Sequence, residues 1–242
     1  MIEATRGGLR VLVPSSLEEV GLRCAVSTLP LDVRHRGDRD RFAAALGLSP
    51  HLLAQVRQVH HAEVLRVDGP TGDPAPEADG LVTATPGLAL FLRAADCSLV
   101  VVADPVHRAV GAVHAGWKGS ARGIVVNLVR TMQRQFGSDP RRCRAAIGPT
   151  IGVERYPVGA EVPAAFRRSR EWTKECVAMR GDRLHFDLAR ANRLFLLECG
   201  IPPPSIEASP RCTFDSPGLL HSFRRDGAGG GHHGIVAAWP EP

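Results

Sequence analysis

Residues 87–123, GLALFLRAADCSLVVVADPVHRAVGAVHAGWKGSARG, decide the reading of this chain, because they set its most reactive side chains between its most strand-like runs. The apolar segments 88–92, 99–103 and 109–113 are short, rich in β-branched residues and bounded by Pro105 and Gly116. That pattern predicts buried strands, although a buried helix has the same apolar character. Asp96 and Cys97 then fall between the first two strands and His114 at the end of the third. A strand end fixes the backbone while the adjoining loop leaves the side chain open to a ligand.

Working outward, 242 residues at 44% hydrophobic content are enough to bury a core, and one domain spanning 1–242 is the economical reading. The formal charge is +5, with arginines scattered apart from a short cluster at 141–144. Aromatics make up only 5%, so the stacking platforms of a nucleic-acid binder are scarce and a small anionic substrate is the better partner. Six cysteines at 24, 97, 143, 176, 199 and 212 form no C-x-x-C pair, which argues against a disulfide scaffold or a zinc ribbon. No run approaches the length of a membrane span and the first residues lack a signal-peptide core, so a cytoplasmic protein without membrane contact is expected.

Taken in order, 9–14 and 22–27 read as short strands, and 38–46 as a helix ended by Gly47, with Ser49 a candidate cap for a second turn. Val56, Val59, Ala62, Val64 and Val67 predict an extended segment over 55–67 that contains His60, and the Gly/Pro-rich 69–78 a surface loop. Helical spacing recurs over 121–136, stopped by Gly137, and over 186–199, capped by Asp187 and stopped by Gly200. Strands alternating with helices predict an α+β fold with mixed sheets covered by helices.

His60, Cys97 and His114 together form a donor set for a borderline-soft ion. Two imidazoles and a thiolate suit zinc, with copper as the alternative, and three protein ligands leave a fourth position for water or substrate. Taken singly, Cys97 fits an inert core cysteine and each histidine a hydrogen-bonded polar residue. Gly116, Lys118, Gly119 and Ser120 precede a helix, where backbone N–H groups and a lysine can cradle an anion. A tight β-to-α turn accounts for the same glycines equally well.

The segments RQVHHAEV, ADGLVTATPGLAL, AADCSLVVVADP, AVHAGWKGSARGIV, AAIGPTIG, YPVGAEV, DLARANRLFLLECGI and CTFDSPGLLHSFRRDG occur in the order seen in the laccase-domain or polyphenol-oxidase family, and the chain is identified as resembling it over about residues 55–227. The resemblance implies a single-domain α+β fold with mixed sheets sandwiched between helices, similar to the catalytic domain of cytotoxic necrotizing factors. It implies metal ligands at His60, Cys97 and His114. It also implies purine nucleoside phosphorylase activity on adenosine, inosine, guanosine and methylthioadenosine, with adenosine deaminase activity as a second reaction. Purine nucleoside and phosphate are then the small-molecule partners. Phosphate is assigned to Gly116, Lys118, Gly119 and Ser120 with Arg224 and Arg225, and Asp96 is the candidate acid or base.

This chain departs from its relatives at three places. Ser27-Thr28-Leu29-Pro30 stands where they carry a Thr-Arg-x-Gly-Gly-like segment, Glu154-Arg155-Tyr156 replaces Cys-Cys-Tyr, and the usual arginine near the C-terminus is replaced within Gly229-Gly-Gly-His232-His233. Arg155, His232 and His233 are the candidates to compensate. Two other readings use the same residues: a Cys-His hydrolase or amidase editing peptidoglycan precursors, with Cys97 as nucleophile and His114 as base, and a noncatalytic partner protein. A laccase fits worst, since the sequence has no His-x-His pair.

Overall fold

A computed structural model describes residues 1–167 and 170–241. Its strands are β1 (Ile2–Arg6), β2 (Leu9–Val13), β3 (Arg23–Ser27), β4 (Leu53–Ala54), β5 (Val64–Arg66), β6 (Gly80–Thr83) and β7 (Ala89–Ala94). They continue with β8 (Ser98–Asp104), β9 (Ala109–Ala115), β10 (Arg144–Ile147), β11 (Val177–Arg180), β12 (Arg183–Phe186), β13 (Ile206–Ala208) and β14 (His233–Ala238). The helices are α1 (Ser15–Glu18), α2 (Arg36–Ala45), α3 (Trp117–Ala121), α4 (Ile124–Phe136), α5 (Glu161–Arg167), α6 (Leu188–Glu198) and α7 (Phe223–Asp226). No helix among the described residues is long and apolar enough to cross a membrane.

Two six-stranded mixed sheets carry the fold, one in the order β1-β2-β3-β14-β7-β4 and the other β13-β10-β8-β9-β6-β5. Strand alternation explains their stacking. Leu99, Val101 and Ala103 of β8 join Leu90, Leu92 and Ile235 of the first sheet in one core, while Val100 and Val102 face a second core with α4 and α6. The opposite face of the first sheet packs Phe91 and Val236 against Leu31, Val33 and Phe42 of the α2 region. The layers thus run helix, sheet, sheet, helices, the expected α+β arrangement of sheets between helices. Burying a side chain of this size is worth about 1.5–3 kcal/mol, so these three apolar layers hold the two sheets in place.

One hairpin positions the site. Asp104 turns β8 into β9 by accepting the backbone N–H of Val106 at 2.9 Å and sitting 2.7 Å from His107 Nδ1. The register that follows pairs Ser98 with Ala115 and Leu99 with His114, so Cys97 and His114 arrive at the same end of the same sheet. Gly111 lets α4 lie close on β9, because a Cβ there would come within 2.4 Å of Leu128. The helical expectation over 121–136 is corrected in one respect: Gly123, at φ +83°, breaks it into α3 and α4. Gly137 at φ +71° ends α4, and the Asp187 carboxylate caps α6 by accepting the Arg190 N–H at 2.8 Å. Ser49 precedes a short 3₁₀ turn without its side chain capping it.

The expected extended segment over 55–67 is also corrected, for only Val64–Arg66 is strand and His60 takes a positive φ of 60°. Alternating apolar residues are as compatible with an irregular loop when that loop is tied by hydrogen bonds rather than by a sheet ladder.

Between the sheets lies His233, fully buried, with neither ring nitrogen hydrogen-bonded among the described residues. Burial, helped by His221 and His232, pushes its pKa down to about 3. The folded pKa lies below the unfolded value of about 6.5, so stability is complete above that value and is lost as pH falls through the window from about 6.5 toward 3. Between pH 7 and pH 5 this one group is expected to cost the wild type about 2 kcal/mol, a loss that His233→Gln removes. Urea unfolding of both proteins at the two pH values checks it; equal losses would show that His233 does not titrate on unfolding as described.

Candidate functional site

The site is built on one buried carboxylate. Asp79, wholly inaccessible to solvent, accepts the backbone N–H groups of Val59 at 3.1 Å, His60 at 3.0 Å and His61 at 2.7 Å, and contacts His114 Nδ1 at 2.8 Å. Those bonds fold the 59–61 loop back on itself, and its left-handed turn aims the His60 ring at His114. The two imidazoles meet edge to face, with centroids 4.7 Å apart at 84°. Burial alone would raise the Asp79 carboxyl; the His114 ring and the loop N–H groups outweigh it and hold it below the usual carboxylate range.

Cys97 completes the group. Its Sγ and one ring nitrogen each of His60 and His114 all lie within 4.8 Å of one another, and among the described residues this is the one cluster of three or more such donors. Gly116 makes the approach possible, since a Cβ there would stand 2.8 Å from Cys97 Sγ. Burial would raise the thiol, but the charges and hydrogen bonds of His114 and His60 prevail and push its pKa down to about 6. Burial likewise opposes charge on His114, and Cys97 with Asp79 raises that group to about 9. The donor chemistry fits a metal: a thiolate at neutral pH, and a histidine whose Nδ1 is engaged by Asp79 so that Nε2 faces the centre. A tetrahedral ion with bonds of about 2.0–2.3 Å needs ligand atoms about 3.4–3.8 Å apart, inside the observed bound.

The three residues line a cavity of about 770 Å³, whose wall also carries Lys118, Arg122, Tyr156, Phe223 and Arg224. Of the residues expected to hold phosphate, Lys118 and Arg224 reach this cavity. Ser120 does not; it is buried and its hydroxyl donates to Asn192 Oδ1 at 2.7 Å. Gly119 packs against the carbonyl of His61, where a Cβ would stand 2.8 Å away. Arg225 ties the loop together through the carbonyls of Thr213, Phe214 and Leu220. Asp96 lines the cavity at φ +88°, and its two carboxylate oxygens accept from Thr213 Oγ1 at 2.5 Å and from the Arg224 N–H at 2.6 Å. Of the compensating candidates, Arg155 pairs with Asp215 at 2.7 Å and His233 is in the core, so His232 alone lines the cavity.

Sequence reasoning passes over Asp79, Arg93 and Tyr156. Asp79 follows directly on the Gly/Pro-rich stretch 69–78 that reads as a surface loop, and only the fold shows what it holds. Tyr156 is the chain's single tyrosine, its hydroxyl pKa raised by burial and by the neighbouring Cys97. The Arg224 guanidinium stacks 5.3 Å from its ring centroid.

An α-β-β-α sandwich with a His-Cys-His centre at the end of one sheet defines the class of protein. The family model described as multi-copper polyphenol oxidoreductase laccase matches residues 19–239, and the chain belongs to that family. Among curated relatives it is 39% identical over 205 residues to the purine nucleoside phosphorylase of Deinococcus radiodurans, covering 84% of this chain and 76% of that one. It is 36% identical over 232 residues to a purine nucleoside phosphorylase of Mycobacterium tuberculosis, covering 89% and 88%. Among solved structures, the hypothetical protein YfiH of Bacillus licheniformis superposes with a TM-score of 0.88 at 29% identity, covering 97% of each chain. YlmD of Geobacillus stearothermophilus gives 0.83 at 28% identity, over 91% of this chain and 93% of that one.

Proposed function

We propose that this chain is a metal-dependent purine nucleoside phosphorylase working at the His60–Cys97–His114 centre. The observation that carries the reading is the convergence of a thiolate and two oriented imidazoles in one cavity of nucleoside size, in a chain whose curated relatives are named for that activity. Zinc is the ion the donor set suits best; when bound it would act as a Lewis acid and lower the pKa of a water in its fourth position. Adenosine, inosine, guanosine and methylthioadenosine are the proposed substrates, with adenosine deamination as a side reaction. Six free cysteines suit a reducing cytoplasm.

In phosphorolysis an oxygen of hydrogen phosphate forms a bond to ribose C1′ as the bond from C1′ to purine N9 breaks. The electron pair leaves with the base, and the proton that phosphate carried ends on it. This chain's residues supply position and field. Phe223, 59% exposed at the cavity, and Tyr156 offer apolar faces to a purine, while Lys118, Arg122 and Arg224 make the cavity positive toward an anion. The two hydrogen bonds to Asp96 fix the 213 and 224 segments, so a part for it in proton transfer requires one of them to open.

Incubated with adenosine or inosine, the metal-loaded protein is expected to release free base only when phosphate is present, with ribose 1-phosphate accumulating in equal amount. Base release without phosphate, or none at any phosphate concentration, would overturn the reading. A second reading has its own observation: Cys97, His114 and Asp79 also form the nucleophile, base and orienting-acid series of a thiol hydrolase. A covalent adduct at Cys97, found by mass spectrometry during turnover of an acyl substrate, would favour that mechanism.

A further inference from the structure

The cavity has a second polar wall, outside the three ligand residues, where β7 and β14 run side by side. Arg93 stands opposite Gly234 in that ladder, and His232 immediately precedes β14, both lining the cavity. By strand alternation Arg93 shares the face of Ala89 and Phe91, the one overlain by the 31–45 region. That region brings two more guanidiniums. Arg39 donates to the carbonyls of Val33 and Arg34 and lies 6.0 Å from the Phe91 ring centroid. Arg34 grips both oxygens of Asp32 at 2.7–3.1 Å.

Three guanidiniums therefore gather near Asp32, which is already held by Arg34 and by the His232 N–H at 3.0 Å, while the adjacent Asp38 accepts the Asp32 N–H at 3.0 Å and pairs with Arg41. Arg93 is the cation left over. Its bonds with Gln58 use only its backbone, and its side chain has no hydrogen-bond or ion-pair partner among the described residues. Beside it, His232 Nδ1 is buried without a partner. Burial, then the charges of Arg93 and Arg34, push the His232 pKa down to about 4, so at neutral pH the ring is uncharged and adds no further repulsion. Like charges gathered behind a cavity wall are unfavourable unless an anion relieves them, and Arg93, the one of the three that lines the cavity, is where such an anion would sit.

We infer that this wall seats a phosphoryl dianion, with the Arg93 guanidinium donating to its oxygens, the His232 imidazole beside it and Arg34 and Arg39 supplying the surrounding positive field. The turn at 116–120 is the poorer seat. Its helix has five residues, Ser120 is turned into the core, and Lys118 is a single point charge whose Nζ lies 5.7 Å from the Trp117 ring centroid. The inference rests on the proposed phosphorolysis for the identity of the co-substrate. The same chemistry also comes as the 5′-phosphate of a nucleotide.

Calorimetric titration of the metal-loaded protein with inorganic phosphate, and separately with inosine 5′-monophosphate, tests it in wild type, Arg93→Ala, Arg93→Lys and Lys118→Ala. For inorganic phosphate, Arg93→Ala is expected to bind roughly 10- to 100-fold more weakly, Arg93→Lys to fall between, and Lys118→Ala to change less. Metal content and the affinity for inosine should stay at wild-type values, which also shows that each variant is folded. The same ranking seen only with the monophosphate keeps the seat and names a nucleotide as its occupant. Wild-type protein that binds neither probe, or Arg93→Ala that binds both as wild type does, overturns the inference. Arg93-dependent phosphate binding without any base release would sink the phosphorylase reading and leave the seat standing. Phosphate-dependent base release with an unchanged phosphate KM in Arg93→Ala would do the reverse.

Discussion

Cys97→Ala is expected to leave the protein folded, empty it of metal and reduce phosphate-dependent base release to the background of the uncatalysed reaction. Three ligands are the minimum that a catalytic zinc site keeps from its protein, and the removed one is the only anion among them. The fold should tolerate the change, because Cys97 is a half-buried residue at the edge of the central core and alanine removes only its sulfur. Without the thiolate, His114 loses the largest influence that raised it, and the buried ring goes neutral more readily instead of standing as an unpaired charge. Elemental analysis of protein purified without chelator, with thermal unfolding as the control for folding, gives the result. Wild-type zinc or copper content in Cys97→Ala would remove Cys97 from the centre. Cys97→His separates the roles further, since a third imidazole can retain part of the metal but cannot act as a thiol nucleophile.

The two parts of the site were not equally readable before the fold was known. The β8–β9 hairpin announced itself through apolar runs around Asp104-Pro105, and once that hairpin exists its register brings Cys97 to His114 without further information. The helices α4 and α6 were equally plain, because their stops at Gly137 and Gly200 need a left-handed backbone that glycine alone adopts at little cost. The loop carrying His60 was not readable in this way. Its alternating valines imitate a strand, and what turns it at His60 is a set of hydrogen bonds to Asp79, a residue 19 positions away whose partner groups are backbone and so leave no trace in side-chain pattern. The glycines at 116 and 119 misdirect for a related reason: a glycine admitting an anion and a glycine admitting a neighbouring sulfur or carbonyl look alike until the neighbour is placed. Arg93 is the converse, an arginine inside an apolar strand whose purpose depends on Arg34, Arg39 and His232 arriving from two other segments.

Asp79 should be the residue whose loss damages both stability and metal binding, although it neither lines the cavity nor belongs to the three-donor cluster. Asp79→Asn keeps the shape but replaces a carboxylate oxygen by an amide that donates, so at least one of the four N–H groups now meeting it loses its acceptor. His114 is then free to take the other tautomer, which would turn a protonated nitrogen toward the metal. Removing such an orienting partner typically costs 10- to 100-fold in metal affinity, and that range is expected here. Asp79→Ala goes further, leaving the N–H groups of Val59, His60 and His61 without acceptors in a partly buried position. At about 1 kcal/mol, the low end for each donor left unpaired, a destabilisation of about 3 kcal/mol follows, less whatever water enters to replace the lost bonds. Competition against a chelator of known affinity reads the first effect and urea unfolding of the metal-free proteins reads the second. Wild-type metal affinity in Asp79→Asn would mean that His114 is oriented by something other than this carboxylate. Unchanged metal-free stability in Asp79→Ala would mean that the 59–61 loop holds its turn unaided, and the left-handed backbone at His60 would then need another cause.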